Sequence, residues 1–510
     1  MERFAEKFKK EIKGVIGCFD RVVFKGYLPI CSPDSMENFM AHQGMLIKDF
    51  KKFVLQASAR VKGYARGMVE RMGRPMRKSR GADRKEDEAR AIARRDGVTQ
   101  GLVCVFTALE RCPTFSVRPA EGRPKLIFDR RPCQCLYFYF LDPSLGLFHV
   151  RLQTWFPFTV QICLNGHDVL AGQLDRKGIE YEKEANAFVW IADCERAQSL
   201  ADGFVKRDWP RTLSYWARRI NPLLKDLLTK MDFHWVVDQA EYATDVIFQS
   251  PQALEPLFEE WFRHASLCFG ADDLMTFLGR KLTGHFQGEV ITRAKRRWPG
   301  ARIRHRIGKN WIKMYLKHGC ILRIETVINY PYDFRIRRFG TRQGCRGVDW
   351  FPMCKAVGNL YRYQEICQAS NHRYLEALAA VEPVHKIRAQ IASIAQPVKR
   401  NGRAYRGFNP ASKQDIALFA AVCRGEHMVR GFRNDFIREQ LFGTTNDPKL
   451  RRRHGAAVSR LLKRLHLHEL VAKIPHSRRW RITDKGQLLL TTFLKLHHHH
   501  YPEEALPRAA

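Results

Sequence analysis

The stretch DPKLRRRHGAAVSRLLKRLHLHELVAKIPHSRRWRITDKG, residues 447–486, decides the fold of the C-terminal part of the chain. Asp447 is a favourable N-cap, and Pro448 suits the first helical position. Apolar residues then recur at steps of three and four, which predicts an amphipathic helix. These residues are Leu450, Ala457, Val458, Leu461, Leu462 and Leu465. Two short β-like segments, 471–474 and 480–483, follow around a basic turn and predict a hairpin.

Two further helices are predicted before this stretch. One covers 412–424 with Ser412 as N-cap, and the other covers 434–442 and ends at Gly443. This order of helices and hairpin resembles the winged-helix variant of helix-turn-helix domains. The resemblance implies a long helix in the DNA major groove and a wing on phosphate or in the minor groove. The residues implied at the DNA are Arg452, Arg453, Arg460, Lys463, Arg464, Arg478 and Arg479.

The alternative interpretation of the same stretch is a solvated basic helix and hairpin that serves packing or a protein partner. Helix order, hairpin and charge all agree with duplex DNA, which we therefore favour. Two copies on a palindromic site is the usual arrangement of helix-turn-helix proteins, and a homodimer is compatible with it.

The charge of the whole chain indicates a polyanionic partner. The 510 residues include 88 Lys and Arg against 52 Asp and Glu, a formal net charge of +36. A chain this basic most often binds nucleic acid. An anionic membrane surface is disfavoured, because no lipidation motif and no basic amphipathic helix with an aromatic face is evident. No run of eighteen apolar residues exists, so no membrane-spanning helix is expected.

The cysteine pattern predicts a reducing, cytoplasmic setting. Fourteen cysteines are scattered through the chain, and only Cys133 and Cys135 lie close together, as C-x-C. This spacing argues against a disulfide framework and against a structural zinc site. The N-terminus, MERFAEKFKKEIKGVIG, has no apolar signal core, which agrees with a cytoplasmic location.

The predicted fold class is α+β and multidomain, with a mixed body that contains antiparallel sheet segments and with a C-terminal winged-helix domain. No internal repeat, P-loop or dinucleotide fingerprint is evident. The predicted divisions are a mostly helical basic region 1–124, an α+β central body 125–396, a linker 397–410, the winged-helix domain 411–496 and a tail 497–510. Pro, Gly and Asn punctuation marks the linker.

Two groups of strands are predicted in the central body. The runs 136–141, 147–153 and 158–164 predict one antiparallel meander, and 302–306, 311–316 and 320–328 predict three more strands. In the last run Arg323 and Glu325 share a face. Lys313 and Tyr315 on the preceding strand are placed to pair across from them.

A metal site is predicted from carboxylates in residues 231–248. If this segment is helical, Asp238, Glu241 and Asp245 fall at i, i+3 and i+7 on one face. Clustered carboxylates repel one another unless they bind cations, and Mg²⁺ or Mn²⁺ for phosphoryl transfer needs such hard oxygen ligands. The alternative is that neighbouring Arg or Lys side chains neutralise them.

The pairing of K-M-Y-L-K (313–317) with L-R-I-E (322–325) is similar to a strand pair in replication initiators of rolling-circle plasmids and filamentous phages. The resemblance implies that Glu325 helps to hold a divalent metal and that a tyrosine, with Tyr315 as one candidate, attacks a phosphodiester. Tyr330, Tyr332, Tyr361 and Tyr363 are the other candidates. The alternative is an ordinary cross-strand ion pair on a half-exposed sheet.

Two weaker signals come from the N-terminal half. Asp20 lies in a short β-like run that resembles the first carboxylate strand of ribonuclease-H-like nucleases, but a surface pair with Arg21 or Lys25 is the preferred explanation. His149 and Arg151 alternate on one strand, whereas rolling-circle nucleases place two metal-binding histidines at that spacing. Arg151 cannot be a ligand, so a structural role is expected for His149 and a phosphate-facing role for Arg151.

Two functions follow as alternatives. The first is a mobile-element transposase or replication-initiator-like protein, a DNA endonuclease or strand transferase with metal-dependent chemistry. The second is a non-enzymatic winged-helix transcription regulator or an RNA-binding ribonucleoprotein component. In either case basic residues of the body are expected to bind nucleic acid, single-stranded DNA or RNA included. These residues are Arg304, Arg306, Lys309, Lys313, Arg337 and Arg338.

Overall fold

The computed structural model describes residues 1–500 apart from several short segments. Those left out are 80–83, 120–123, 284–285, 296–300, 343, 382–391, 393, 401, 410–411, 424–430 and 476. The part of the predicted tail beyond residue 500 therefore lies outside the described residues. The chain divides into two compact units, Met1–Val381 and Glu382–Ala510, which we call the body and the C-terminal unit.

Most strands of the body join one sheet. The strands of the body are β1 (Ile12–Tyr27), β2 (Met76–Lys78), β3 (Gly101–Arg118), β4 (Lys125–Asp142), β5 (Gly146–Gln153), β6 (Val160–Leu164), β7 (Tyr181–Glu184), β8 (Ala187–Ile191), β9 (His234–Phe248), β10 (Val290–Lys295), β11 (Arg302–Ile307), β12 (Asn310–Lys317), β13 (Ile321–Ile328), β14 (Arg335–Arg342) and β15 (Cys345–Pro352). The order across the large sheet is β10-β11-β12-β13-β9-β1-β6-β5-β4-β3-β2. Its neighbours are antiparallel except for the parallel pair β2 and β3. β7–β8 and β14–β15 form separate two-stranded ribbons.

Helices of the body pack onto this sheet and bury its apolar side chains in one large core. The helices are α1 (Glu2–Lys7), α2 (Pro33–His42), α3 (Phe50–Arg71), α4 (Lys85–Arg95), α5 (Gly166–Lys177), α6 (Cys194–Asp202), α7 (Trp209–Ile220), α8 (Pro251–Leu267), α9 (Ala271–Phe277) and α10 (Leu360–Ala379). The α+β class and both predicted groups of strands are confirmed. No helix of the described residues has the length and apolar character needed to cross a bilayer.

The region 1–124 contributes more to the sheet than its predicted, mostly helical character implies. β1 lies at the centre of the sheet, and β3 pairs with β4 along almost its whole length. The division expected at residue 124 therefore falls between two paired strands of one sheet. Residues on both sides of it belong to the same compact unit.

The two halves of the sheet repeat one topology, although the sequence shows no internal repeat. In each half a long strand is followed by helices and then by a four-strand meander, whose last strand returns to pair with the first. The order is β3-β4-β5-β6-β1 in one half and β10-β11-β12-β13-β9 in the other. β1 and β9 pair antiparallel where the halves meet, with Arg21 opposite Glu241. The first strand of each half, β1 or β9, therefore lies at the centre of the sheet, where the two halves meet.

The prediction of a helix for residues 231–248 is wrong, because residues 234–248 of this segment form strand β9. Residues 240–248 are all buried, since β9 lies between β1 and β13 in the middle of the sheet. A strand covered on both faces shows no clear apolar alternation, and its Val, Thr, Tyr and Ile content favours a strand. The spacing of Asp238, Glu241 and Asp245 consequently does not place the three carboxylates on one helical face.

The C-terminal unit contains the predicted helices and hairpin. Its elements are β16 (Val398–Arg400), β17 (Arg403–Tyr405), α11 (Lys413–Val422), α12 (Asn434–Phe442), α13 (Pro448–Leu467), β18 (Val471–Lys473), β19 (Trp480–Ile482) and α14 (Asp484–His500). Asp447 caps α13 by accepting a hydrogen bond from the Lys449 amide. Phe432, ahead of α12, forms a β-bridge with Trp480 and so adds a third extended segment beside the hairpin.

The segment 397–410, predicted as a linker, is partly structured. It contains the short ribbon β16–β17. Phe408 is buried in the apolar core of the C-terminal unit together with Phe419 and Val458. This end of the segment therefore belongs to the folded unit.

Candidate active site

Charged side chains cluster at the centre of the large sheet, on strands β12, β13 and β9. In the observed register Lys313 lies opposite Glu325, and Tyr315 lies opposite Arg323. This cross-strand arrangement is the predicted one. On β9, Glu241 and Asp245 share a face because they are four residues apart on a strand. The sheet thus brings together residues that are far apart in the sequence.

Asp20 enters the same cluster through a β-bulge in β1. Phe19 pairs with Tyr242 and Arg21 pairs with Glu241, so that Asp20 is one extra residue in β1. A bulge re-aims the side chain of the inserted residue. Asp20 is buried, and its carboxylate accepts hydrogen bonds from Arg323 and from Asn186 in the turn of the β7–β8 ribbon. The surface pair with Arg21 or Lys25 that the sequence suggested is therefore wrong.

The guanidinium of Arg323 neutralises two of the carboxylates. It is fully buried and donates to Asp245 at 2.5 and 2.6 Å and to Asp20 at 2.9 Å. It also donates to Nε2 of His167 at 3.0 Å. Burial alone would raise the pKa of Asp245, but the adjacent Arg323 and His167 override it and lower this pKa to about 2. Asp245 is thus engaged in an internal ion pair, as the alternative interpretation had it.

The second part of the cluster contains Glu241 and Glu325, which share Lys313. The Lys313 Nζ lies 2.5 Å from Glu325 Oε1 and 3.3 Å from Glu241 Oε2. Tyr315 donates its hydroxyl hydrogen to the other oxygen of Glu325. Burial, together with repulsion from Glu325, raises the pKa of Glu241 to about 7. The positive charge of Lys313 is therefore not enough to keep both glutamates fully ionised at neutral pH.

Burial also raises the pKa of the Tyr315 phenol well above its ordinary value, and the charge of Glu325 adds to this. The hydroxyl is consequently protonated at neutral pH and serves as a hydrogen-bond donor. Glu325 is the group that would accept its proton if Tyr315 were to act as a nucleophile. The structure thus brings the predicted pair Tyr315 and Glu325 into direct contact.

Three carboxylates converge closely enough to bind one cation. Asp20, Glu241 and Glu325 each offer an oxygen, and these atoms all lie within 4.8 Å of one another. We call these residues the carboxylate trio. Its oxygen ligands suit Mg²⁺ or Mn²⁺. A cation among them would replace the Lys313 ammonium as the counter-charge of the two glutamates.

The predicted metal ligands therefore divide into two groups. Glu241 and Glu325 belong to the carboxylate trio, whereas Asp245 is bound to Arg323. The Asp238 carboxylate lies 3.0 Å from Lys355 Nζ and is not part of the trio. The three acids do not share one face, as they would on a helix, because in strand β9 Asp238 lies apart from Glu241 and Asp245.

A cleft of about 790 Å³ opens over Asp20. Its basic lining residues are Arg21, Arg84, Lys85, Arg90 and Arg151. Arg90 is paired with Glu86 and Asp168. Among the described residues, no carboxylate forms an ion pair with Arg21, Arg84 or Lys85. The cleft therefore offers basic side chains without carboxylate partners beside Asp20, and Lys85 among them lies over the Tyr137 ring at 4.6 Å.

His149 and Arg151 both line this cleft. Burial lowers the pKa of His149 to about 3, so that the imidazole is neutral, and it lies between the rings of Tyr137 and Tyr139. Arg151 donates to Glu110 at 2.7 Å and to the sulfur of Cys135 at 3.1 Å. The guanidinium of Arg151 is thus engaged within the cleft wall, in contrast to the phosphate-facing role expected from the sequence.

The basic residues predicted to bind nucleic acid through the body have different surroundings. Lys313 lies inside the carboxylate cluster, where it binds Glu241 and Glu325, and is therefore not part of the predicted nucleic-acid-binding surface. Arg304 lies over the Trp311 ring at 5.0 Å and Lys309 over the Tyr330 ring at 4.8 Å. Arg306 pairs with Glu289. Arg337 and Arg338 are exposed on the β14–β15 ribbon.

The predicted DNA-contacting residues of the C-terminal unit are mostly exposed. Arg452, Arg453, Arg460, Lys463 and Arg478 lie at the surface of α13 and the hairpin, and Arg479 is half-buried. Arg464 has a different role. Its guanidinium donates to both oxygens of Asp415 at 3.0 Å, and it stacks on the Phe408 ring at 3.8 Å. Arg464 therefore holds the unit together and is not available to a ligand.

Comparisons of the chain with protein-family models, with curated proteins and with solved structures found no match. The functional assignment consequently depends on the chemistry of the site.

Sequence reasoning missed His167 and Asn186 as members of the site, and it preferred a surface ion pair for Asp20 over the resemblance to a nuclease carboxylate strand. The signal for Asp20 was an acid inside an apolar β-like run, GCFDRVVF, which a surface strand explains less well than a buried polar site. His167 follows the N-cap Asn165 of α5, and Asn186 lies in a tight turn. Neither position has a local pattern that distinguishes it from a structural residue.

Metal binding at the trio is expected to tighten with rising pH. The pKa of Glu241 is raised to about 7, so the carboxyl must lose a proton before it can bind a cation. Mn²⁺ affinity measured by calorimetry should therefore be about tenfold higher at pH 8 than at pH 6. The carboxylate of Glu241 raises the pKa of Arg21 and of Lys313 against the effect of burial, so both cations beside it keep their charges over this range. Glu241→Gln should abolish the pH dependence, and a wild-type affinity that is flat between these pH values would contradict the assignment.

Proposed function

We propose that this protein is a nucleic-acid-processing enzyme that binds a divalent metal at Asp20, Glu241 and Glu325 and performs phosphoryl transfer. The observation that carries the proposal is the convergence of three buried carboxylates, one of which, Asp20, lines a cleft whose Arg21, Arg84 and Lys85 form no ion pair among the described residues. A metal there would polarise a phosphodiester and stabilise the charge of its transition state. Within this class, a mobile-element transposase or a replication-initiator-like protein fits the size and charge of the chain best.

The residues of the body have separate roles in this proposal. Arg21, Arg84 and Lys85 would bind the phosphate backbone in the cleft. Lys313 holds the two glutamates together until a cation replaces it. Tyr315 is the candidate nucleophile, because its hydroxyl already contacts Glu325, which can accept the proton. Its oxygen would bond to phosphorus as the bond from phosphorus to one sugar oxygen breaks, and that sugar oxygen would leave as a hydroxyl after taking up a proton.

The C-terminal unit is proposed to bind duplex DNA as a winged helix. The order α11, α12, α13 and hairpin supports this, and so does the bridge between Phe432 and the hairpin strand β19. α13 would lie in the major groove, and the hairpin tip with Arg478 would contact phosphate or the minor groove. A domain that recognises duplex DNA, in the same chain as a catalytic body, would direct the chemistry to a chosen site.

Removal of the exposed basic residues should weaken duplex binding and its dependence on salt. The variant is Arg452→Ala, Arg453→Ala, Arg460→Ala, Lys463→Ala and Arg478→Ala together. Each lost phosphate contact lowers the slope of log affinity against log salt by about 0.9. Filter binding at several salt concentrations should therefore show a slope reduced by up to about 4.5, if all five side chains contact phosphates. Lys485→Ala, which removes a cation paired with Glu469, should leave the slope unchanged. Equal slopes in all three proteins would exclude the DNA-binding role.

A second candidate function is a binding protein without chemistry. Lys313 and Arg323 already neutralise much of the charge of the cluster, which a purely structural ion-pair network would also do. A winged-helix regulator or a ribonucleoprotein component would then use the cleft only for binding. The two candidates differ in whether the nucleic acid is changed.

The test is incubation of the purified protein with end-labelled single- and double-stranded DNA and RNA, with Mg²⁺, Mn²⁺ or EDTA. Native gels report binding, and denaturing gels report the lengths of the products. Metal-dependent cleavage or joining is the expected result, and a product linked to protein would identify a tyrosine nucleophile. Tight binding with every substrate intact in both metals would favour the non-enzymatic candidate.

A further inference from the structure

The β14–β15 ribbon stands apart from the large sheet of the body. Its two eight-residue strands pair along their whole length, from Arg335 opposite Pro352 to Arg342 opposite Cys345. At its base Ile336 is buried in the core of the body. Most of the remaining side chains are exposed. The ribbon is therefore an arm anchored at one end.

One face of this arm, which we call the arm face, combines arginines with large apolar side chains. Directly opposed residues share a face, so the face contains the pairs Arg335/Pro352, Arg337/Trp350, Phe339/Val348 and Thr341/Arg346. Phe339 and Val348 are each 58% exposed, and Trp350 is 44% exposed. The described residues of this face include no carboxylate. The acid Asp349 lies on the opposite face, paired with Arg342.

The chemistry of the arm face indicates what it contacts. Leaving Phe339, Val348 and Trp350 in water loses hydrophobic stabilisation, so a contiguous apolar strip of this kind usually has a partner. The flanking arginines require that partner to be anionic. Arg346 lies over the Phe339 ring and Arg362 over the Trp350 ring, each 5.4 Å from the ring centre, so both exposed aromatic side chains have a cation in contact with them. Unpaired bases joined by phosphates have both properties.

We propose that the arm face binds single-stranded nucleic acid, with bases stacked on Trp350 and Phe339 and with phosphates bound by Arg335, Arg337 and Arg346. Base stacking on exposed aromatic residues combined with a basic track is the usual way in which proteins hold single strands. This inference rests on the proposed function only for the choice of nucleic acid as the substrate. It adds the aromatic residues on which the bases of a single strand would stack and the path that the strand takes.

The base of the arm adjoins the cleft. Lys355, three residues after the end of β15, donates to the carboxylate and to the backbone oxygen of Asp238. Asp238 lines the cleft together with Asp20. Only residues 329–334 separate β14 from β13, the strand that carries Glu325. A single strand that lies along the arm face is therefore led toward the carboxylate trio.

The test measures the affinity of the full-length protein for fluorescent twenty-nucleotide oligo-dT and oligo-U in EDTA, so that cleavage plays no part. The variant Phe339→Ala with Trp350→Ala should bind both about tenfold more weakly, since stacking contributes on this scale per base. Arg337→Glu with Arg346→Glu should weaken binding at least as much. Duplex affinity should be retained in both variants, because it is assigned to the C-terminal unit. Thermal melting checks that the variants remain folded.

A matched control comes from the hairpin of β3 and β4, which also exposes an aromatic residue and an arginine. Arg118→Ala with Phe128→Ala should leave the affinity for the oligonucleotides unchanged. Wild-type affinity in both arm variants, or the same loss in the control, would overturn the proposal. So would arm variants that lose binding to phosphatidylglycerol vesicles and keep binding to oligonucleotides. Because the binding assay contains EDTA and no divalent metal, its outcome does not depend on whether the proposed catalysis occurs.

Discussion

Replacement of Glu325 by glutamine should reduce metal-dependent cleavage by about a thousandfold and leave nucleic-acid binding within about twofold. The substitution keeps the size of the side chain but removes the charge that holds a cation, and it leaves one acceptor oxygen in place of the two that bind Lys313 and Tyr315. Loss of a correctly placed metal removes several kcal/mol of transition-state stabilisation, and each 1.36 kcal/mol is a factor of ten in rate. Single-turnover cleavage with saturating protein measures the effect separately from binding.

Asp238→Asn is the matched control for this experiment. Asp238 lies on the same strand as Glu241 and lines the cleft together with Asp20, but its carboxylate is paired with Lys355 outside the trio. Its cleavage rate should stay within a few-fold of the wild-type rate. If Glu325→Gln cleaved as fast as Asp238→Asn, Glu325 would have only a structural role. The ion pair with Lys313 would then be the whole explanation of its burial.

Replacement of Arg323 by methionine should lower the free energy of unfolding by about 3–5 kcal/mol at pH 7. The methionine fills much of the space of the arginine side chain but leaves Asp20 and Asp245 buried without their counter-charge, and breaking a buried ion pair from one side has this scale of effect. Urea denaturation followed by circular dichroism measures the change. Arg60→Met is the control, because its pair with Asp226 is exposed and should contribute less than about 1 kcal/mol.

The loss caused by Arg323→Met should become smaller as the pH falls. In the wild-type protein the pKa of Asp245 is lowered to about 2, below its unfolded value of 3.8. Its ionised form therefore stabilises the protein above about pH 4, and this contribution is lost as the pH falls through 2. Without Arg323, burial raises the pKa of Asp245, so the carboxyl can take up a proton and become neutral in mild acid. A deficit that is equal at pH 5 and pH 8 would contradict this interpretation.

The sequence was informative where the sheet has one apolar face. Strands β5, β11 and β12 show alternating apolar and polar residues, and they lie where they were predicted. β9 escaped prediction because it is buried on both faces, so its apolar residues are continuous and its three acids could be fitted to a helix. The repeated topology of the two half-sheets could not be predicted either, because equivalent strands have different sequences. β5 and β12 occupy the same position in their halves, yet His149 and Arg151 on β5 resemble Lys313 and Tyr315 on β12 only in their alternate spacing.

The candidate site was predictable only in part, for a related reason. Lys313, Tyr315, Arg323 and Glu325 lie on one hairpin, so local alternation was enough to bring them together. Asp20 reaches them through a bulge in a strand about three hundred residues away in the sequence, and no local pattern encodes that pairing. The role of Arg464 was likewise hidden, because its partner Asp415 lies on another helix of the C-terminal unit.

The central claim is that Asp20, Glu241 and Glu325 together bind a divalent metal, and the most direct test is Mn²⁺ binding followed by electron paramagnetic resonance. Titration of the purified protein at pH 8 should show loss of the signal of free Mn²⁺ for the wild-type protein and for Asp238→Asn. Glu325→Gln and Asp20→Asn should leave that signal almost undiminished. Equal Mn²⁺ binding by all four proteins, or none by the wild type, would contradict the claim and leave the cluster as an internal ion-pair network.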